Sequence, residues 1–249
     1  MIPLKDDVPS RSAPIVTLAL VALNVLAYLY QFSLGVDARG PGAGAEQALV
    51  MEFGLVPCRL TGGCPAPDDF PSPLATVFTS MFLHGSWFHL GGNMLYLWIF
   101  GHGVEDTLGH GRFLGFYLGA GTVAALVQAY LNPASAVPMV GASGAISGVL
   151  GAYLIMYPKV RVHMLFIFII FFKVFRIPAW IVLIYWFGVQ IATAYMTPLQ
   201  PDVSSGVAVW AHIGGFIAGM VLIKLFEKPE LVAERNRIRS EQAWMLSSA

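Results

Sequence analysis

The sequence predicts an all-α polytopic membrane protein with six transmembrane helices and both termini on the cytoplasmic side. Of its 249 residues, 57% are hydrophobic and only 11% are charged, whereas soluble domains carry about 25% charged residues. Several apolar runs approach the roughly 20 residues that a helix needs to cross the hydrocarbon core of a bilayer. The formal net charge is zero, which gives no electrostatic basis for binding nucleic acid.

The expected spans follow the apolar runs in chain order. We interpret the first run as a retained span rather than a signal peptide, because no small-residue cleavage site follows it cleanly. The run "MLFIFIIFF" is too short to cross a membrane and ends near Lys173 and Arg176, so residues 164–172 are expected to form an interfacial or loop segment. The six spans are expected within residues 14–32, 82–104, 113–131, 139–157, 177–195 and 207–226.

The orientation follows from Lys and Arg, which are enriched on the cytoplasmic side of membrane proteins. With both termini inside, only Arg39 and Arg59 of the 14 Lys and Arg residues fall outside. The chain is then expected to form one membrane domain between two cytoplasmic ends. Its expected parts are an N-terminus (1–13), a six-span domain (14–226) with an external loop (33–73), and a C-terminal tail (227–249).

Polar side chains inside the bilayer indicate function by default, because burying them in hydrocarbon costs free energy. Apart from span ends, we single out six polar residues within the expected spans: His89, Asn93, Ser143, Ser147, Gln190 and His212. The second, fourth and sixth spans all run from outside to inside, and each carries its polar residues early. At 1.5 Å per residue, Ser143 and His212 are expected at the same depth, about 8 Å below the outer surface.

Ser143 and His212 form the first candidate pair. A lone serine in a membrane helix more often serves helix packing, and small residues accompany both members of the pair. The expected packing residues are Gly144, Gly148, Gly215 and Gly219. Two glycine-lined helices that carry Ser and His at equal depth nevertheless fit the hydrogen bond between a nucleophile and its base.

His89 and Asn93 form the second candidate pair, because their i, i+4 spacing places both on one helix face. An interhelical hydrogen bond would explain them without catalysis, and so would a metal bound by His89 and His84. No third ligand lies at metal-binding spacing, so neither a metal nor a cofactor is expected. As donors to a developing oxyanion, the two residues would stabilise an acyl-transfer transition state. With no buried acid available, packing or a neutral partner would orient His212.

Three motifs resemble those of the rhomboid intramembrane serine proteases, and the resemblance covers nearly the whole chain. The motifs are "HGSWFHLGGN" (84–93), "GASG" (141–144) and "AHIGGFIAG" (211–219). Six spans with internal termini and a large first external loop also look like the prokaryotic form of the family. The resemblance implies a rhomboid-like helix bundle with Ser143 as nucleophile and His212 as general base and then acid. It further implies an oxyanion site formed by His89, Asn93, the Ser143 N–H and a backbone shaped by Gly141.

The resemblance also implies what the protein acts on. Transmembrane protein substrates would be cleaved near the outer face of the plasma membrane, the inner membrane of a bacterium, by an active site open to the external or periplasmic side. Transmembrane substrates and the lipid bilayer are therefore the expected partners. Some family members stack an aromatic side chain under the catalytic histidine, four residues after the nucleophile. That position is Ser147 here, so His212 must be held differently, and Ser147 stays open between packing and holding His212.

Other interpretations remain at this stage. A rhomboid-like protein that binds membrane clients without cutting them would share the fold, although loss of the nucleophile or base usually marks such proteins. A transporter or channel usually carries membrane-embedded charges or paired broken helices. Segment 196–206 is placed to act as a flexible lid, but its prolines equally fit turns. Cys58 and Cys64 lie in the external loop, where a disulfide and two free thiols are both consistent with the sequence.

Overall fold

The structure is a computed structural model that describes residues 2–36, 44–168, 171–196 and 208–234, together with residues 236, 237 and 240. The helices are α1 (Ile15–Val36), α2 (Ala45–Phe53), α3 (Pro57–Leu60), α4 (Pro73–Thr79), α5 (Trp87–Leu108), α6 (His110–Leu131), α7 (Ser143–Met156), α8 (Ala179–Met196) and α9 (Val209–Phe226), with a 3-10 turn at Ser80–Phe82. The strands are β1 (Ile2–Asp6), β2 (Arg161–Phe168) and β3 (Phe171–Pro178). The expected lid, 196–206, lies outside the described residues apart from Met196.

Four helices in the described part of the chain, α1, α6, α8 and α9, are long and apolar enough to cross a membrane. The fourth expected span is shorter than predicted. Residues 139–142 are not helical, and α7 has 14 residues. A 14-residue helix is about 21 Å long, whereas the hydrocarbon core is about 30 Å thick. The second span was expected within residues 82–104, and the helix there, α5, runs from Trp87 to Leu108, with Glu105 and Asp106 near its C-terminal end.

The described residues are mostly helical, as expected. The expectation did not include the three strands, which form a small antiparallel sheet in the order β1-β2-β3. Residues 164–172 were expected to be an interfacial or loop segment, but the described part of this run belongs to the β2–β3 hairpin, in which Met164 pairs with Phe175. A uniformly apolar run has no periodicity that separates a strand from a loop or helix. Strand β1, which pairs with β2, also comes from the N-terminal end of the chain, and Asp6 pairs there with Val162.

The N-terminal segment and the tail meet at one end of the bundle, beside the C-terminal end of α5. The Asp106 carboxylate accepts hydrogen bonds from the backbone N–H groups of Arg11 at 3.0 Å and Ser12 at 2.9 Å. The Arg11 guanidinium also donates to the Glu234 carboxylate at 2.7 Å. These contacts tie parts of the expected N-terminus (1–13) and tail (227–249) to the helices.

Glu105 caps the first turn of α1 from the same end of α5. Its side chain is 1% exposed, and its two oxygens accept hydrogen bonds from the N–H groups of Val16 and Thr17, both at 2.8 Å. The first N–H groups of a helix have no partner within the helix. A buried carboxylate can therefore satisfy them and anchor α1 against α5.

Helices α7 and α9 touch through glycines. A methyl group on Gly219 would lie 1.9 Å from the carbonyl oxygen of Gly148, and one on Gly215 would lie 2.1 Å from that of Gly144. Gly151, which the sequence analysis did not single out, approaches a backbone carbonyl of α9 in the same way. The two backbones therefore lie closer together than larger side chains would permit.

The expected external loop, 33–73, contains α2 and α3 within its described residues. A disulfide joins Cys58 in α3 to Cys64, with the Cα atoms 5.2 Å apart. Leu55 forms an isolated antiparallel bridge with Met139. The loop is therefore partly folded and holds the segment that leads into α7.

Candidate active site

A cavity of about 610 Å³ opens between α5, α7, α8 and α9. It brings together all six polar residues that were singled out from the sequence. These residues are His89, Asn93, Ser143, Ser147, Gln190 and His212. Apolar side chains, among them Phe88, Tyr96 and Trp186, form much of the remaining wall.

Ser143 is the first residue of α7, not a residue one turn inside a longer helix. The extended segment before it is fixed by a hydrogen bond from the Gly141 N–H to the Ser80 carbonyl oxygen at 2.9 Å. The N-cap residue, Ala142, provides no side-chain acceptor for the first turn. The first N–H groups of any helix have no partner within that helix, and here the N-cap side chain does not supply one. The positive end of the helix dipole lies at the cavity.

The imidazole of His212 reaches Ser143. Its Nε2 atom lies 2.8 Å from the Ser143 Oγ atom. His212 lies in the first turn of α9, and the N–H of the preceding Ala211 donates to the Gln128 Oε1 atom at 3.1 Å. A glutamine of α6 therefore fixes the start of α9. Gln128 was not singled out from the sequence, because one glutamine in an apolar span does not reveal its partner.

The other face of His212 is held by α8. The His212 Nδ1 atom lies 2.8 Å from the Gln190 Oε1 atom, and the Trp186 ring lies 5.9 Å from the imidazole between centroids. The Ser147 hydroxyl instead donates to the carbonyl oxygen of Ser143 at 2.6 Å. This contact places Ser147 in the packing of α7 rather than at His212.

His89 and Asn93 both approach Gly141. The Ser86 hydroxyl caps α5 by accepting from the His89 N–H at 3.1 Å, and the Gly85 N–H donates to His89 Nδ1 at 3.4 Å. In a neutral ring, this leaves Nε2 as the protonated nitrogen. A methyl group on Gly141 would lie 2.8 Å from His89 Nε2 and 3.6 Å from Asn93 Nδ2. The two side-chain donors therefore converge on the backbone just before Ser143.

His84 holds the Asn93 amide in place. Its Nε2 atom lies 2.9 Å from Asn93 Nδ2, which leaves the second Asn93 N–H for another acceptor. Gln31 in α1 fixes the His84 backbone by donating to its carbonyl oxygen at 2.6 Å and accepting from its N–H at 3.1 Å. From the sequence, His84 was expected to act, if at all, as a metal ligand. The described residues contain no group of three or more His, Cys, Asp or Glu side chains that could hold a metal ion.

The cavity thus combines the parts of an acyl-transfer site. A serine hydroxyl lies within hydrogen-bond reach of an imidazole, and the imidazole is itself contacted by a third side chain. Next to the hydroxyl are the N-terminus of α7 and two N–H donors from side chains. This is the arrangement that activates a nucleophile and stabilises an oxyanion.

Comparisons with known proteins agree with this geometry. The chain is 26% identical over 188 residues to the mitochondrial Rhomboid protein 1 of Saccharomyces cerevisiae, covering 71% of this chain and 49% of that protein. It is 34% identical over 171 residues to Rhomboid protease AarA of Providencia stuartii, covering 62% and 55%. It is 44% identical over 78 residues to Rhomboid protease GluP of Bacillus subtilis, covering 31% and 15%.

These alignments span about half the length or less of the curated relatives. The family model of the rhomboid domain matches residues 71–228. That range covers more than half of the chain and includes the six polar residues that were singled out from the sequence. The chain therefore belongs to the rhomboid family.

Proposed function

We propose that this protein is an intramembrane serine endopeptidase that cleaves transmembrane proteins near the outer membrane face with a Ser143–His212 dyad. The observation that carries the proposal is the 2.8 Å distance between Ser143 Oγ and His212 Nε2, in a cavity that also holds His89 and Asn93. Two relatives of this chain are named rhomboid proteases, which supports the same activity here.

The proposal includes six membrane spans, α1 and α5 to α9, in the plasma membrane of a bacterium, with both termini cytoplasmic. The contact of Arg11 with Glu234 supports termini on one side. The disulfide between Cys58 and Cys64 belongs in an oxidising compartment and supports an external position for the opposite end. The cavity then opens toward the external side.

The first chemical step is attack on the scissile carbonyl. His212 Nε2 accepts the proton of the Ser143 hydroxyl while Oγ bonds to the carbonyl carbon. The carbonyl oxygen becomes an oxyanion, which the N–H groups of His89, Asn93 and Ser143 stabilise. Because these donors are already in place, they need little reorganisation when the charge develops.

The second step separates the products. The tetrahedral intermediate collapses, the C–N bond breaks, and His212 gives its proton to the leaving amine. Water then attacks the acyl group on Ser143, with His212 accepting the proton of the water and returning it to Oγ. A transmembrane helix must unwind before its carbonyl can reach Ser143, so we propose substrates with Gly, Pro or small residues near the cleaved bond.

Labelling with a serine-directed fluorophosphonate tests the nucleophile. The wild-type protein should be labelled, and Ser143→Ala and His212→Ala should not. Ser147→Ala is the matched control, because Ser147 lies four residues away in the same helix and donates within α7; it should still be labelled. Labelling that persists in Ser143→Ala would contradict the proposal. Absence of labelling in the folded wild-type protein would favour the alternative, a rhomboid-like protein that binds membrane clients without cleaving them.

A further inference from the structure

We propose that Gln190 is a positioning residue for the catalytic base. Its side-chain oxygen holds His212 in the tautomer that leaves Nε2 free to take the Ser143 proton. The inference rests on the proposed dyad. It assigns a role to a neutral residue of α8, a helix that contributes neither the nucleophile nor the base.

The geometry places His212 between two partners. Its Nδ1 atom lies 2.8 Å from Gln190 Oε1, and its Nε2 atom lies 2.8 Å from Ser143 Oγ. A neutral imidazole has one nitrogen that donates and one that accepts. An acceptor oxygen at Nδ1 selects the Nδ1–H form, and the lone pair of Nε2 then points at the Ser143 hydroxyl.

The same hydrogen bond assists the transfer itself. When His212 accepts the proton from Ser143, the ring becomes a cation and its Nδ1–H becomes a stronger donor to Gln190. Hydrogen bonds from charged donors are shorter and roughly twice as strong as neutral ones. The contact is therefore stronger in the state with developing charge than in the resting state, which is the condition for lowering a barrier.

An amide oxygen here takes the place that a carboxylate has in Ser–His–Asp triads, where the acid fixes the histidine tautomer. Among the described residues that line the cavity, none is an Asp or Glu. A buried carboxylate would carry a large desolvation cost in an apolar site, whereas an amide requires only a satisfied hydrogen bond. A glutamine is thus a suitable acceptor for this site.

Trp186 is a second residue of α8 that contacts His212. It precedes Gln190 by one helical turn, so both side chains project from the same face of α8. Its ring lies 5.9 Å from the imidazole, tilted by 43°. This helix therefore provides the aromatic contact that Ser147, four residues after Ser143, does not.

Kinetics of three α8 variants test the role of Gln190. Gln190→Met removes the acceptor at similar size, and Gln190→Glu keeps an acceptor oxygen. Thr193→Val is the matched control, because its hydroxyl donates to the Val189 carbonyl of its own helix. In cleavage of a transmembrane substrate, Gln190→Met should lower kcat about 10- to 100-fold with KM unchanged. Gln190→Glu should recover part of the loss, because it restores an acceptor oxygen but buries a carboxyl group in an apolar site. Thr193→Val should match the wild type.

The tautomer provides an independent measurement. Nitrogen-15 NMR of His212 in Ser143→Ala, which needs no activity, should show protonated Nδ1, and addition of Gln190→Met should abolish that preference. An Nε2-protonated ring with Gln190 present, or equal kcat for Gln190→Met and wild type, would overturn the inference. If the wild-type protein neither cleaves nor is labelled, the proposed protease fails, yet the NMR result still decides whether Gln190 sets the tautomer.

Discussion

The Nε2 atom of His212 and the Oγ atom of Ser143 lie 2.8 Å apart, although 69 residues separate them in the chain. Two features of the fold set this distance. The backbones of α7 and α9 touch at Gly148 and Gly219, and Gln128 anchors the first turn of α9. The proposed dyad is therefore a product of helix packing, and changes in that packing should alter catalysis.

Gly219→Ala should separate α7 from α9. The added methyl would lie 1.9 Å from the Gly148 carbonyl oxygen, and a displacement near 1 Å can lower turnover on the order of 100-fold. Thermal unfolding should also show a loss of roughly 1 to 3 kcal/mol. Gly188→Ala in α8 is the control, because its methyl would meet no atom within 4 Å. Equal activity and stability in the two variants would contradict this prediction.

Gly141→Ala should impair catalysis and also strain the backbone. Gly141 has a φ of +123° and its methyl would lie 2.7 Å from His89 Cε1, so the imidazole must move away from the oxyanion position. Loss of one oxyanion donor lowers kcat about 100- to 1,000-fold. Gly91→Ala in α5 meets nothing within 4 Å and should keep normal turnover. A Gly141→Ala variant with the kcat of the wild type would exclude His89 from the oxyanion site.

Glu105→Gln should destabilise the fold without removing any group from the cavity. An amide nitrogen would replace one of the oxygens that accept from the N–H groups of Val16 and Thr17. Loss of a buried charged hydrogen bond costs roughly 2 to 3 kcal/mol, which unfolding in detergent would measure. Glu227→Gln is the control, since its partner Lys224 is exposed and such pairs contribute about 0 to 1 kcal/mol. If both variants lose the same free energy of unfolding, Glu105 does not act as a helix cap.

Asp6 should make stability depend on pH. Burial raises the pKa of the Asp6 carboxyl, although His102 and Tyr153 partly oppose the shift. The folded-state pKa of this carboxyl lies above the unfolded value of about 3.9. Its contribution to the free energy of unfolding is therefore fully present below the unfolded pKa, and it is lost as pH rises through the folded-state pKa. Asp6→Asn should therefore lose less stability than wild type as pH rises from about 4 to about 7. Parallel pH profiles for wild type, Asp6→Asn and the exposed-site control Asp69→Asn would contradict this prediction.

The sequence allowed the cavity's polar residues to be chosen before their positions were known. Ser143, His212, His89 and Asn93 could be selected because a polar side chain in an apolar span needs a partner or a function. Their shared depth then followed from the direction of the spans. The glycines beside them indicated that α7 and α9 could approach each other closely.

Other features depend on contacts between distant parts of the chain, and no local pattern encodes them. The β2–β3 hairpin contains the uniformly apolar run 164–172, and its partner strand β1 lies at the N-terminus. Gln190 was visible as a polar residue, but its contact with His212 required the relative rotation of α8 and α9. Gln128 and Glu105 act on the first turns of other helices, and a sequence does not show which helix lies beside which.

Cleavage in a defined bilayer tests the central claim most directly. The purified protein and a single-span substrate would be placed in liposomes, and the cleaved bond would be located by mass spectrometry. Wild-type protein should cut within the part of the substrate helix nearest the outer face, and neither Ser143→Ala nor His212→Ala should yield that product. The same product formed by folded Ser143→Ala protein would contradict the account.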